Sequence, residues 1–410
     1  VGSALVKALP EFDLKLMLLA PTGRAAKVMA GYSERSAFTI HKIIYQRVAD
    51  PITGKLQFSR RKNYQKNTLY VVDEASMLSN DGGARRSGLL SDLIDYVFEQ
   101  STNRLMLIGD SAQLPPVGQS LSQGLDAEHL EHFYRLNLYE TELTEVMRQE
   151  QDSGILYNAT QLRYQLEREV FKIQMRTKGY SDVYQMQGRR LEDGLRYTYD
   201  KFGRENTAVI CRSNKAAVQY NRFVRHQIFF YENELEVGDY LMIVKNNYFF
   251  TEENADISFL ANGDFVEIMK VFGIEEKYGL RFADLELQLL DYPDQPPFEA
   301  KIMLDVLHSP SVALEEDKYH NLYQEVLEEY QDQETRKQQQ EALQNDEYLN
   351  ALQVKYAYAL TCHKSQGGQW DAVFVDQGYL PDERLNTEYL RWLYTAVTRA
   401  RQELFLMNFR

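Results

Sequence analysis

At 410 residues the chain is long enough for two or three domains, which excludes a single small binding module. Its 44% apolar and 26% charged content is that of a folded globular protein, and no apolar run reaches the length of a membrane span. The net charge of −14 is adverse to nucleic acid, yet residues 311–350 alone hold eleven acidic against three basic side chains; the other 370 residues carry only −6, so local basic patches stay open.

Val1, Ala4, Leu5 and Leu9 fall near helical spacing with no capping residue before them, so the true N-terminus is expected to lie upstream, and any targeting signal with it. Residues 15–20 read as a buried strand, and 25–31 open a helix. Residues 68–73 and 104–110 are further apolar strands, each ending in an acidic residue. That alternation predicts a parallel sheet with its site at the C-terminal strand ends. Residues 43–67 break the pattern. They are polar and basic, with a turn signal at Asp50-Pro51-Ile52-Thr53-Gly54, and predict a protruding hairpin that carries Lys55, Arg60, Arg61, Lys62 and Lys66.

Residues 154–225 read as mostly helical, interrupted by a strand at 207–211. From 236 to 307 the stretch is β-rich, with turns at Gly238-Asp239, Asn262-Gly263 and 291–297, which predicts a small antiparallel barrel or sandwich. An acidic, Gln-rich helix over 314–349 follows, with Leu322, Val326 and Leu327 as its apolar stripe. Strands at 355–361 and 371–376, a helix at 387–400 and a last strand at 403–407 restore the α/β pattern. The β-rich part is thus an insertion in a second α/β domain. Cys211 and Cys362 cannot by themselves build a disulfide framework, a four-ligand zinc site or an iron–sulfur cluster, and they suit a reducing compartment.

The chemistry sits at strand ends. Tyr70-Val71-Val72-Asp73-Glu74-Ala75-Ser76 is an apolar strand delivering two adjacent carboxylates, the arrangement that sets a magnesium ligand beside a base for water. Leu107-Ile108-Gly109-Asp110 runs into Gln113 on a Pro-stiffened loop, where an amide can meet both a γ-phosphate and an attacking water. Arg148 and Arg399 lie in further blocks, and a guanidinium suits charge spread over phosphate oxygens. Each of these alone is also explained by a turn or a surface ion pair. Lys245-Asn246-Asn247-Tyr248-Phe249-Phe250 mixes a cation, amides and aromatics; base stacking and barrel packing explain it equally well.

The blocks Ala20-Pro21-Thr22-Gly23-Arg24-Ala25-Ala26, Thr39-Ile40-His41, Asp73-Glu74-Ala75-Ser76, Gly109-Asp110 through Gly118, Arg148-Gln149, Thr361-Cys362-His363-Lys364-Ser365-Gln366-Gly367-Gly368-Gln369-Trp370 and Tyr394 through Ala400 stand in one order. In that order they resemble the superfamily-one B helicases of the RecD/Pif type, over essentially the whole chain. The resemblance implies two RecA-like P-loop domains, with a hairpin insertion in the first and an SH3-like β insertion in the second. The first domain would be 1–150 with its pin at 43–67. The second would be 151–235 with 351–410, and the insertion with the acidic segment 236–350.

The resemblance also implies roles. Asp73 would hold Mg²⁺, Glu74 would be the catalytic base, Gln113 the γ-phosphate sensor, and Arg148 and Arg399 the arginine fingers on ATP. Gly367 and Gly368 would let backbone approach the phosphates. Thr22, Arg24, Thr39, His41, Thr361, His363, Ser365, Lys245 and Asn247 would face DNA. The implied activity is ATP-dependent movement 5′ to 3′ on single-stranded DNA with unwinding of duplex, forked or structured DNA. G-quadruplexes and RNA–DNA hybrids are further implied partners; a membrane is not, and the implied state is a bacterial, cytoplasmic monomer serving repair, recombination and genome maintenance.

One departure stands at the front: the Gly-Lys-Thr or Gly-Lys-Ser phosphate loop is not among these residues. It is expected within a few residues upstream of Val1. The alternative is a non-catalytic single-strand-binding or complex subunit with a defunct nucleotide site.

Overall fold

The computed structural model describes residues 12–49, 56–80, 88–143, 152–247, 249–250, 260–333, 335–381 and 384–409, with backbone alone at 47–49 and 56–58. Val1–Leu9, the turn at 50–54, Lys55, Tyr248 and the whole Arg148 block lie outside these residues.

The first half follows the alternation read from sequence. Strands β1 (Lys15–Ala20) and β2 (Ala37–Thr39) come first, then the hairpin pair β3 (Tyr45–Ala49) and β4 (Leu56–Arg60), then β5 (Thr68–Val72) and β6 (Arg104–Leu107). The sheet runs β2-β1-β5-β6 and is parallel throughout. Period-two alternation sends Leu19, Tyr70 and Val72 to one core and Leu18, Leu69 and Val71 to the other, so both faces are covered. The hairpin is antiparallel, as expected, with Tyr45 paired to Arg60. Its base is held down by Tyr45, whose hydroxyl donates to Asp92 at 2.6 Å, and by Arg61, which donates to the Tyr45 carbonyl at 2.6 Å.

The second half is a five-stranded parallel sheet. It contains β7 (Val183–Met186) and β8 (Thr207–Cys211), and later in the chain three more strands. Between them the chain builds β9 (Tyr240–Ile243), β10 (Phe265–Lys277), β11 (Leu280–Leu289), β12 (Phe298–Met303) and β13 (Leu352–Tyr356), which close into a barrel in the order β10-β11-β12-β13-β9. The remaining sheet strands are β14 (Ala359–Thr361), β15 (Trp370–Asp376) and β16 (Ala400–Met407), giving β14-β8-β15-β16-β7.

Four expectations are corrected. The strand read at 355–361 is two strands: Ala357 N–H still donates to Tyr240 of the barrel, whereas the Tyr358 carbonyl already accepts from Val209 of the sheet. Continuous apolar sequence hid this change of partner. The barrel is not wholly antiparallel, since β12 and β13 pair in parallel; the helical excursion between them allows that crossover. The acidic segment is two helices, Glu316–Glu329 and Arg336–Gln344, although Leu322 and Val326 are buried as expected. The short strand β7, half exposed at the sheet edge, falls inside a region read as helical.

One apolar cluster joins the barrel interior (Ile243, Val266, Leu285, Ile302, Val354) to one face of the second sheet (Val209, Phe374, Met407). Barrel and sheet therefore share a core. Among the described residues no helix is long and apolar enough to cross a membrane.

Candidate nucleotide and nucleic-acid sites

Asp73 and Glu74 leave the C-terminal end of β5, where the chain must stop pairing and turn. Glu74 takes a left-handed φ of 53° and its N–H donates to the Asp73 carboxylate at 2.9 Å. The neighbouring strand end approaches closely: a Cβ at Gly109 would lie 2.9 Å from the Ser76 nitrogen, so only glycine fits there.

Arg399 comes from the other half, beyond the helix Thr387–Val397. It is 3% exposed, and its guanidinium donates to the Thr395 carbonyl at 3.0 Å, the Gly368 carbonyl at 3.3 Å and the Thr398 hydroxyl at 3.3 Å. Its terminal nitrogen stands 3.9 Å from Glu74. Base and arginine thus face each other across the junction of the two sheets.

The loop with Gln113 is seated on that junction. Leu114 N–H donates to the Thr395 hydroxyl at 2.9 Å, and the Leu114 carbonyl accepts from Gln366 at 2.7 Å. Asp110 is clamped by Arg163 at 3.0 Å and by the Tyr394 hydroxyl at 2.5 Å. The Gln113 amide oxygen is buried with no hydrogen-bond partner among the described residues, and a water could meet it by donating to it. Gln366, Thr395 and Tyr394 lay inside the motif blocks without a role assigned to them. Arg163 had no sequence signal, because a lone arginine on a helix reads as a surface ion pair.

Several site expectations are corrected by what the side chains face. At Gly367 (φ 75°) a Cβ would meet Ala25 at 2.9 Å and Thr22 at 3.0 Å; at Gly368 it would meet Trp370 at 2.6 Å. Gly367 admits a close contact between the halves, and Gly368 one with the Trp370 ring of its own half. The Arg24 guanidinium lies between two rings, 4.1 Å from Trp370 and 4.6 Å from Phe265, instead of facing an open channel. Ser365 is fully buried and donates to the Cys362 carbonyl at 2.7 Å. Asn247 is a turn-former: it donates to the Asn350 carbonyl at 2.6 Å and accepts from Phe249 N–H at 2.9 Å.

The other candidates keep more freedom. Thr22 and Thr39 cap the helices Gly23–Ser33 and Ile40–Ile44 through their hydroxyls. His41 follows Thr39 directly; burial pushes its imidazole down to about 4, so it is neutral at pH 7. Burial likewise lowers His363. Thr361 makes no capping bond, and Lys245 is exposed with its ammonium 4.9 Å from the Tyr319 ring. Lys62 and Lys66, at the base of the hairpin, are exposed too.

A family model for an AAA domain matches residues 1–178, and one for a UvrD-like helicase C-terminal domain matches residues 356–407. The first falls mainly on the first half and the second on the second, and with the two parallel sheets they make the chain similar to helicase cores of two RecA-like domains. An uncharacterized protein of Acanthamoeba polyphaga mimivirus, R530, is 24% identical over 95% of this chain and 88% of its own. A Pif1 helicase from Bacteroides, solved with ADP-AlF3 and single-stranded DNA, is 14% identical over 100% of this chain and 86% of its own, with a TM-score of 0.46. Pif1 from Candida albicans is 16% identical over 100% and 88%, with a TM-score of 0.37.

Proposed function

We propose that this chain forms the motor of an ATP-driven helicase that moves 5′ to 3′ on single-stranded DNA and parts duplex or forked DNA ahead of it. The observation that carries the reading is Glu74 facing Arg399 at 3.9 Å across the two halves, with the Gln113 amide oxygen, unpaired among the described residues, in the adjoining loop. Hydrolysis needs a base, a charge stabiliser and a sensor at one junction, and these residues supply them. Glu74 would accept the proton of the attacking water while Arg399 meets charge developing on the transferred phosphoryl group. Arg148, outside the described residues, would be the second arginine.

Asp73 would hold Mg²⁺, which neutralises phosphate charge when bound. Among the described residues no group of three or more His, Cys, Asp or Glu gathers, which fits an ion that takes one or two carboxylates and completes its shell with phosphates and water. Thr22, Thr39, His41, Thr361, His363 and Lys245 would line the strand's path. Neutral imidazoles and hydroxyls there suit sequence-independent contact with sugar and phosphate. The hairpin with Lys62 and Lys66 would serve as the separating pin.

The test is strand displacement by the full-length protein on duplexes with a 5′ or a 3′ single-stranded tail. Displacement of the 5′-tailed substrate alone, dependent on ATP and Mg²⁺, is expected. Displacement from the 3′ tail overturns the polarity, and strand binding without any ATP turnover favours a non-catalytic binding subunit.

A further inference from the structure

Asp110 shapes the turn that follows β6 and sets where the next residues go. Its Oδ1 accepts Ala112 N–H at 3.0 Å, and its carbonyl accepts Gln113 N–H at 3.0 Å. One residue therefore folds the turn from which the Gln113 amide projects. Its carboxylate is also held from the other half. Oδ1 accepts from the Arg163 guanidinium at 3.0 Å, and Oδ2 accepts from the Tyr394 hydroxyl at 2.5 Å.

Both donors stand on helices that pack together, Gly154–Glu167 and Thr387–Val397. Ile155, Leu162, Leu390 and Leu393 belong to one apolar cluster, so the donors are carried on a packed platform of the second half. On the far side of Gln113, Leu114 is bonded by Thr395 and Gln366 of that same half. Gln113 is thus bracketed: Asp110 before it and Leu114 after it are both gripped from across the junction.

Arg163 makes two further contacts. Its Nη2 donates to Glu142 at 2.9 Å and its Nε to Glu167 at 3.3 Å. Those two carboxylate side chains are 67% and 54% exposed, so they form surface pairs of small weight. The Asp110 side chain is 23% exposed and is backed by the Tyr394 hydroxyl, which makes this the stronger arm. Folding the turn does not require it, because Oδ1 already has the Ala112 N–H. What the arm adds is a fixed relation between the turn and the second half.

We propose that Arg163 is a positioning residue for ATP turnover: through Asp110 it fixes the Gln113 amide at the junction when the two halves are together. The role rests on Gln113 as the γ-phosphate sensor, the reading given above. Arg163 acts on the nucleotide only through Gln113.

The test uses the full-length protein and compares Arg163→Ala, Arg163→Lys, Gln113→Ala and the double variant of Arg163→Ala with Gln113→Ala. Two readouts serve: kcat and KM for ATP, and the affinity for a non-hydrolysable ATP analogue relative to ADP. Arg163→Ala is expected to lower kcat by about tenfold to hundredfold, the reach of a small misplacement, with KM changed less. The preference for the triphosphate analogue is expected to fall about tenfold, the factor of one hydrogen bond to a charged phosphate. Arg163→Lys keeps the charge beside Asp110 and is expected to recover part of both losses. The double variant is expected to lose no more than Gln113→Ala alone, since both changes act on one amide. Should Arg163→Ala not fold, Arg163→Gln takes its place with the same expectations. Full additivity in the double variant overturns the positioning role, as does a lowered Tm with kcat and nucleotide preference unchanged. A wild type without ATP turnover would defeat the helicase reading, while the nucleotide preference still decides this role. A wild type that binds both nucleotides alike overturns sensor and role together.

Discussion

Glu74 and Asp264 show how position changes what a carboxylate does. Glu74 sits where a strand end meets an arginine from the opposite half. Glu74→Gln in the full-length protein is expected to retain nucleotide and DNA binding while slowing ATP turnover by about 10²–10⁴-fold, the usual weight of a general base. Steady-state turnover alongside nucleotide affinity checks it, and near-normal turnover removes Glu74 from the mechanism. Asp264, 3% exposed, lies against the first half, where a Cβ at Gly23 would stand 2.5 Å from one of its oxygens. That oxygen has no partner among the described residues; the other accepts from Ala261 N–H at 2.7 Å. Burial, aided by Asp291 and opposed by that hydrogen bond, raises the carboxyl from 3.8 to about 7.

Between those values the folded chain keeps a proton that the unfolded chain releases, so this group's contribution to stability falls as pH rises from about 4 to 7 and then levels. Asp264→Asn removes the charge and keeps an acceptor. It is expected to stabilise the protein at pH 8, by up to a few kcal/mol, and by much less near pH 5. Thermal unfolding at both pH values decides it; an equal effect at the two would contradict the protonation account.

At the scale of elements, the loop after β6 joins the two halves beside the candidate active site. Both backbone groups of Leu114 are bonded by side chains of the other half, and the Thr395 hydroxyl does one of these tasks while its own carbonyl holds Arg399. Motif order marks the loop by Gln113 and the neighbouring helix by Arg399, but spacing alone does not say that they touch. Thr395→Val keeps the shape and leaves a buried N–H unpaired, a cost of about 1–3 kcal/mol. The expected outcome is a lower Tm together with slower turnover, since Gln113 and Arg399 both lose their seat. Unchanged turnover with a lowered Tm would assign Thr395 to stability alone.

For the whole molecule, three bodies meet at Arg24. It leaves the first half, stacks on Trp370 of the second sheet and reaches Phe265 of the barrel, while Lys27 on the same helix pairs with Asp291 at 3.7 Å and donates to the Leu290 carbonyl at 3.3 Å. A planar guanidinium can lie flat on two rings; an ammonium cannot. Arg24→Lys is therefore expected to loosen the barrel almost as much as Arg24→Ala, at about 1–2 kcal/mol. Limited proteolysis and thermal unfolding would register it, and full rescue by lysine would contradict stacking as the cause.

Local patterning alone determined the parallel strands, the hairpin, the β-rich insertion and the strand-end carboxylates. Each depends on apolar period, turn residues or a short motif, which are properties of neighbours in sequence. The tertiary structure decided where apolar continuity was ambiguous or where a partner came from far along the chain. At Ala357–Tyr358 the same extended backbone changes from barrel to sheet, a choice made by hydrogen-bond partners more than a hundred residues upstream. Arg24, Gly367 and Gly368 read as ligand contacts because their motif is rich in small and cationic groups, yet the packing of three bodies turned them to face protein.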